Sequence, residues 1–305
     1  MIRSIMMPLD GSTFGEYALS LGLGIARRAG ARVRLVHVCE PPPRGRFFEG
    51  APRTDPAADQ ARAGRYLSQM AAFLSAEWEV PITTAVLHGP PAETLRAEAE
   101  AHEIDLVVMT SHGYGPLTRM WLGSVAHALA RTLPMPVMIA RPRAESTDLL
   151  EHVAEPALQR VLLPLDGSPL GEAALEPALA LGGLMGARYT LVQAIDPPVL
   201  GYAPAAYVGG LDQQVLEQMR AAGQEYLDKV ATQLRAKGAQ VATELLYGPP
   251  ALAIVDYARE HAFDLIAMAT HGRSGAARLL LGSVAEQVLQ GTSLPVLLYR
   301  PGSAA

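Results

Sequence analysis

Two short constellations in this chain carry residue types suited to holding phosphate. His112-Gly113 is followed after nine residues by Gly123-Ser124-Val125-Ala126, and His271-Gly272 is followed after nine residues by Gly282-Ser283-Val284-Ala285. Each second glycine reads as the entry to a helix. A helix start offers unpaired backbone N–H groups and the positive end of a dipole, so it attracts anions. A glycine just before it lets a phosphate come close to the backbone. Ser124 and Ser283 read as N-caps, and Ser283 with Glu286 reads as a capping box. A cap needs no ligand, but its coupling to an upstream His-Gly turn, present twice, shifts the reading toward phosphate. His112 and His271 each follow a strand end, where an imidazole could donate to a phosphate oxygen or bond its own loop.

Asp10 and Asp166 form a second repeated pair, in Pro8-Leu9-Asp10-Gly11-Ser12 and Pro164-Leu165-Asp166-Gly167-Ser168. An acid at a strand end can bond a ribose hydroxyl or a base amine, as in dinucleotide folds. It also helps to start the following helix with Ser12 or Ser168, and Pro169 suits a first helical position. Gly22 and Gly24 imitate part of a dinucleotide fingerprint but fall inside a helical stretch and lack the third glycine, so they read as packing. Cys39, the one cysteine, reads as a small buried residue, which excludes an internal disulfide and a cysteine-built zinc cage. Lys229 and Lys237 are the only lysines and neither follows a glycine, so a Walker-type phosphate loop is excluded.

The elements that must position these residues repeat in the same way. Residues 2–8, 33–38, 80–87, 106–109 and 137–140 read as strands, being short, rich in Val, Ile and Leu, and bounded by turn residues. Residues 14–29, 56–79, 92–102 and 124–132 read as helices. The second copy repeats the strands at 161–165, 189–194, 241–247, 265–269 and 296–299. After the second strand the repeat offset rises from 156 to 159, so three extra residues are expected in that connection of the second copy. Alternating strands and helices predict right-handed crossovers and a parallel sheet covered on both faces. The fold class is therefore α/β: two tandem open α/β sandwiches, each a five-stranded, mainly parallel sheet. Residues 1–142 form the first domain, 143–159 a linker and 160–301 the second domain. The Gly/Pro-rich stretches 44–56 and 201–210 fall at the carboxyl ends of strands, where open α/β sheets bind ligands.

A chain of 305 residues, half of them hydrophobic, is long enough for two ordinary domains. Its formal net charge of −5, with basic residues dispersed among acids, argues against nucleic acid or an anionic membrane as partner. No run has signal-peptide or membrane-spanning character, and a cytoplasmic protein is expected.

Both Pro-x-Asp-Gly-Ser starts, both Gly-Pro-Pro helix entries (Gly89-Pro90-Pro91 and Gly248-Pro249-Pro250) and the stretch 270–285, Thr-His-Gly-Arg-Ser-Gly-Ala-Ala-Arg-Leu-Leu-Leu-Gly-Ser-Val-Ala, resemble the universal stress protein family in its tandem form. The resemblance covers nearly the whole chain. It implies a stress-response role and, in one branch of the family, binding of ATP, with ADP or AMP as alternatives and Mg²⁺ carried in with the nucleotide. That branch is marked by Gly, two residues, Gly, nine residues, Gly, then Ser or Thr. Thr110 and Ala269 stand at its first glycine. By position, the resemblance places Pro8, Asp10, Val38, Met109, Gly113, Gly123, Ser124 and Val125 around a first nucleotide. It places Pro164, Asp166, Ala194, Met268, Gly272, Gly282, Ser283 and Val284 around a second. His271 and Arg273 would reach phosphate there, whereas Tyr114 and Pro116 occupy the first loop. Threonine is branched and bulkier than alanine, so unequal sites are expected, with the C-terminal one tighter.

Three functions stay open on these residues: a nucleotide-binding regulatory protein, a slow ATPase using His112 or His271, and an interaction module that has lost nucleotide. No general base or arginine finger is evident, so no catalytic residue is assigned. The resemblance further implies that the two copies pair within the chain as a pseudo-dimer through their last strands, with a homodimer of whole chains also open.

Overall fold

Ser4-Ile-Met-Met-Pro8 is almost wholly buried, and its conformation follows from that. Ile5, Met6 and Met7 at its centre leave neither face polar, and a strand apolar on both faces must be covered on both, as in a parallel sheet. The computed structural model describes residues 1–40, 55–111, 123–141, 158–196, 211–272 and 281–300. The chain divides into two units, Met1–Pro156 and Ala157–Ala305.

The first unit runs β1 (Ser4–Pro8), α1 (Thr13–Glu16), α2 (Leu19–Ala29), β2 (Arg32–Cys39), α3 (Pro56–Trp78), β3 (Ile82–His88), α4 (Pro91–Ala101), β4 (Leu106–Thr110), α5 (Ser124–Thr132) and β5 (Val137–Ala140). Its strands lie in the order β3-β2-β1-β4-β5, every pair parallel. The second unit runs β6 (Arg160–Pro164), α6 (Pro169–Glu172), α7 (Leu175–Gly183), β7 (Arg188–Ile195), α8 (Leu211–Ala236), β8 (Gln240–Tyr247), α9 (Pro250–Glu260), β9 (Leu265–Ala269), α10 (Ser283–Gly291) and β10 (Val296–Tyr299). Its order, β8-β7-β6-β9-β10, is the same arrangement, again all parallel. The α/β class and the two five-stranded parallel sheets are as the sequence predicts.

In each unit the chain leaves the first strand toward one edge and the fourth strand toward the other. The crevice between their carboxyl ends is the point where open α/β sheets receive ligands. At the opposite end an acid joins the same two strands. The Asp105 carboxylate accepts from the amides of Arg3 (2.7 Å) and Ser4 (3.1 Å), and Asp264 accepts from those of Gln159 (3.0 Å) and Arg160 (2.9 Å). The switch point is thus tied at its base in both copies.

The stretch 14–29, expected as one helix, is two. The Tyr17 amide bonds the Phe14 carbonyl three residues back rather than four, which closes α1 tightly before α2 starts at Leu19. Gly22 packs, as expected: a Cβ there would stand 2.5 Å from the Met7 methyl. Ala178 and Leu163, both buried, hold the equivalent positions in the second unit, so the smaller helix residue goes with the longer strand residue. Gly182 and Tyr189 repeat the exchange against Ala26 and Val33.

The offset also needs correcting. Tyr66 donates to Glu16 at 2.7 Å and Tyr226 to Glu172 at 3.0 Å, so α3 and α8 are 160 residues apart, while β3 and β8 return to 159. The second copy therefore gains four residues before its long helix and loses one after it. The long helix keeps its register by burying Leu67 and Leu74 in one unit and Leu227 and Leu234 in the other.

Candidate functional site

The first part of the site is the turn after each unit's first strand. Gly11 (φ 82°) and Gly167 (φ 81°) adopt the left-handed conformation that glycine tolerates without strain. This bends the chain so that one Asp10 oxygen accepts from the Ser12 amide (3.0 Å) and hydroxyl (2.6 Å), while Ser12 Oγ accepts from the Gly15 amide (3.0 Å). Asp166, Ser168 and Gly171 repeat these bonds with the same three distances. Helix initiation is thus one role of both acids, with Ser12 and Ser168 as the N-caps.

The second part is the return of the chain from the fourth strand into the last helix. The Gly123 amide donates to the Ser111 carbonyl at 2.7 Å, and the Gly282 amide to the Thr270 carbonyl at 2.8 Å. Ser111 and Thr270 are completely buried, so each fixes its helix entry from inside the protein. Gly123 (φ −57°, ψ 148°) and Gly282 (φ −59°, ψ 142°) are the N-caps, with no side-chain cap bond. This corrects the sequence reading. Ser124 and Ser283 are first helical residues rather than caps, and no capping box forms at Ser283. The non-local bond to the preceding strand makes the glycine the hinge, which moves the serine one place into the helix. Both serines are exposed at a terminus whose first amides lack helical partners.

His271 stands beside that terminus, its Cα 3.8 Å from where a Cβ on Gly282 would lie. Its Nδ1 is 2.9 Å from Thr270 Oγ1, and its Nε2 is buried without a hydrogen-bond partner among the described residues. An imidazole oriented through one nitrogen with the other buried and unmet is suited to receive a ligand's polar atom. Thr270 went unnoticed in the sequence. Its signal was a hydroxyl residue directly after the fourth strand in both copies, Ser111 in one and Thr270 in the other.

The remaining candidates fall at the same carboxyl ends. Pro8 and Pro164 close β1 and β6, Val38 and Ala194 lie near the ends of β2 and β7, and Met109 and Met268 are buried near the ends of β4 and β9. Thr110 and Ala269 are buried as the last residues of β4 and β9. Val125 and Val284 are half-buried in the first turns of α5 and α10. Gly272 lies against the Asp166 carboxylate. His112, Gly113, Tyr114, Pro116 and Arg273 lie outside the described residues. Cys39 is half-buried, and burial, aided by the negative charge of Asp59, pushes its thiol pKa up, the reverse of an activated thiolate.

The sequence model of the universal stress protein family matches residues 1–141 and again 157–300. The chain belongs to the universal stress protein family. Its form is tandem, one family unit after another. A universal stress protein of Methanocaldococcus jannaschii is 33% identical over 142 residues, covering 47% of this chain and 82% of the relative. One from Mycobacterium tuberculosis is 29% identical over 201 residues, which span 66% of this chain and 63% of the relative's length. In structure, a universal stress protein from Archaeoglobus fulgidus superposes with a TM-score of 0.69 at 19% identity, covering 98% of both chains, which shows the shared fold. Among the described residues no helix is long and apolar enough to cross a membrane, and no three or more His, Cys, Asp or Glu side chains gather as a metal site.

Proposed function

We propose that this universal stress protein binds an adenine nucleotide, ATP in the first instance, at the switch point of its second unit, for a regulatory role in stress response. The observation that carries the reading is the Nε2 of His271, buried beside the N-terminus of α10 with no partner among the described residues. A phosphate there would meet the first amides of α10, the exposed Ser283 hydroxyl and the imidazole together. Asp166 and Ala194 would lie toward ribose and base. Gly272, Gly282, Val284, Met268 and Pro164 would shape the walls, and Arg273 would follow toward the phosphates. Mg²⁺ would arrive with the nucleotide and be held mainly by phosphates and water.

The positionally equivalent residues of the first unit would be Pro8, Asp10, Val38, Met109, Gly113, Gly123, Ser124 and Val125, with Thr110 in place of Ala269. We place the tighter site in the second unit. Solved universal stress proteins include one from Arabidopsis thaliana with AMP bound and one in complex with cAMP. The reading here rests on this chain's own residues instead.

Binding without efficient turnover is the form proposed. The test is the small-molecule content of the purified chain after denaturation. Adenine nucleotide approaching one per chain is expected. A chain that releases none and whose melting is unmoved by Mg-ATP contradicts the reading and favours an interaction module.

A further inference from the structure

Gly272 returns over the start of its unit, and what it meets there is a carboxylate. A Cβ built on Gly272 would overlap Asp166 Oδ2, with Cγ at 3.0 Å and Oδ1 at 3.6 Å. Asp166 cannot move aside freely, because Oδ1 accepts from the Ser168 amide at 3.0 Å and the Ser168 hydroxyl at 2.6 Å. It is closed in from the other side as well. A Cβ on Gly171 would lie 2.6 Å from Oδ1 and 3.5 Å from Ser168 Oγ. The carboxylate therefore sits between two glycines, each of which makes room for it.

We infer that Asp166 is a positioning residue for the nucleotide site: its carboxylate is the seat on which the backbone at Gly272 rests. It thereby fixes where the backbone at Gly272 stands relative to the turn after β6. Glycine at 272 is demanded by Asp166 before any phosphate arrives. The consequence for nucleotide rests on the proposed function, whereas the seating does not. A binding defect in a Gly272 variant alone would therefore not report phosphate contact, because the variant also displaces the backbone at residue 272.

A double-mutant cycle on the full chain tests this with Gly272→Ala, Asp166→Ala and the pair, measured without nucleotide and then with Mg-ATP. Gly272→Ala is expected to lower the thermal midpoint by about 4–8 °C when Asp166 is present, as overpacking does in units of this size. In the Asp166→Ala background the same change should cost a small fraction of that. Mg-ATP binding lost in Gly272→Ala should return in the pair up to the level that Asp166→Ala alone retains. Equal midpoint losses in both backgrounds overturn the inference. If Gly272→Ala alone does not fold, recovery of folded protein in the pair is the expected result, and a pair that stays unfolded while Asp166→Ala folds overturns it. Asp166→Ser, which keeps an oxygen in the turn, replaces Asp166→Ala should that variant not fold. A non-additive cycle in which neither the parent chain nor any variant binds Mg-ATP supports the seat and contradicts the proposed function instead.

Discussion

The Thr270 carbonyl oxygen accepts from the Gly282 amide at 2.8 Å and stands 2.7 Å from where a Cβ on residue 282 would be. A backbone oxygen at the end of a buried strand has no rotamer by which to retreat. Glycine is required here for the chain's own closure, independently of any ligand. Gly282→Ala should destabilise the protein by about 2 kcal/mol, as overpacking in a rigid site does. Scanning calorimetry on nucleotide-free protein checks this, and an unchanged midpoint would show that the helix entry can give way.

Tyr189 and Gly182 are buried where the repeat puts Val33 and Ala26, also buried, in the first unit. A Cβ on Gly182 would lie 2.9 Å from the Tyr189 ring atoms Cε1 and Cζ. Gly182→Ala should therefore cost on the order of 2 kcal/mol alone and much less together with Tyr189→Val, which restores the first unit's pairing. Chemical denaturation of the single and double variants reads the coupling directly, and additive losses would refute the exchange.

Burial pushes the Tyr189 phenol pKa from about 10 up to about 12. Because the folded value is the higher one, the neutral ring's stabilisation is complete below pH 10 and is lost as pH rises toward 12. Tyr189→Phe should remove part of the alkaline loss, so its thermal midpoint should fall less between pH 9 and pH 11 than that of the parent chain. Parallel slopes for the two proteins would mean that other groups dominate that range.

The Tyr66–Glu16 bond, repeated as Tyr226–Glu172, ties the long helix of each unit to the short helix carrying the Asp-Gly-Ser turn. Glu16 is itself buried, so removing the donor leaves an acceptor underserved. Tyr66→Phe and Tyr226→Phe should each cost about 1 kcal/mol. Urea unfolding midpoints of the two variants test the parity, and two neutral substitutions would reduce the repeated bond to an incidental contact.

What the sequence made legible was what is local. The turns at Asp10 and Asp166 close through bonds two and three residues apart, so their residue types announce them. The apolar runs 106–109 and 265–269 declared burial on both faces. The misreadings have the opposite cause. Ser283 looked like a cap because nothing near it in sequence reveals that Thr270 holds Gly282 and makes the glycine the cap. The seating of Gly272 on Asp166 joins residues far apart in the chain, and its glycine carried no mark of which neighbour required it. The shift of α8 against α3 was hidden for a similar reason: it became readable only once Tyr226 was seen to bond Glu172.

The most direct test of the central claim is calorimetric titration of nucleotide-free chain with Mg-ATP, run beside His271→Leu and His112→Leu. The account predicts saturable binding that His271→Leu weakens roughly tenfold or more, as loss of a charge-assisted phosphate contact would, with little change in thermal midpoint. His112→Leu should leave that dominant site intact. Binding that is absent, or that is indifferent to His271, would contradict the placement of a nucleotide at the second switch point.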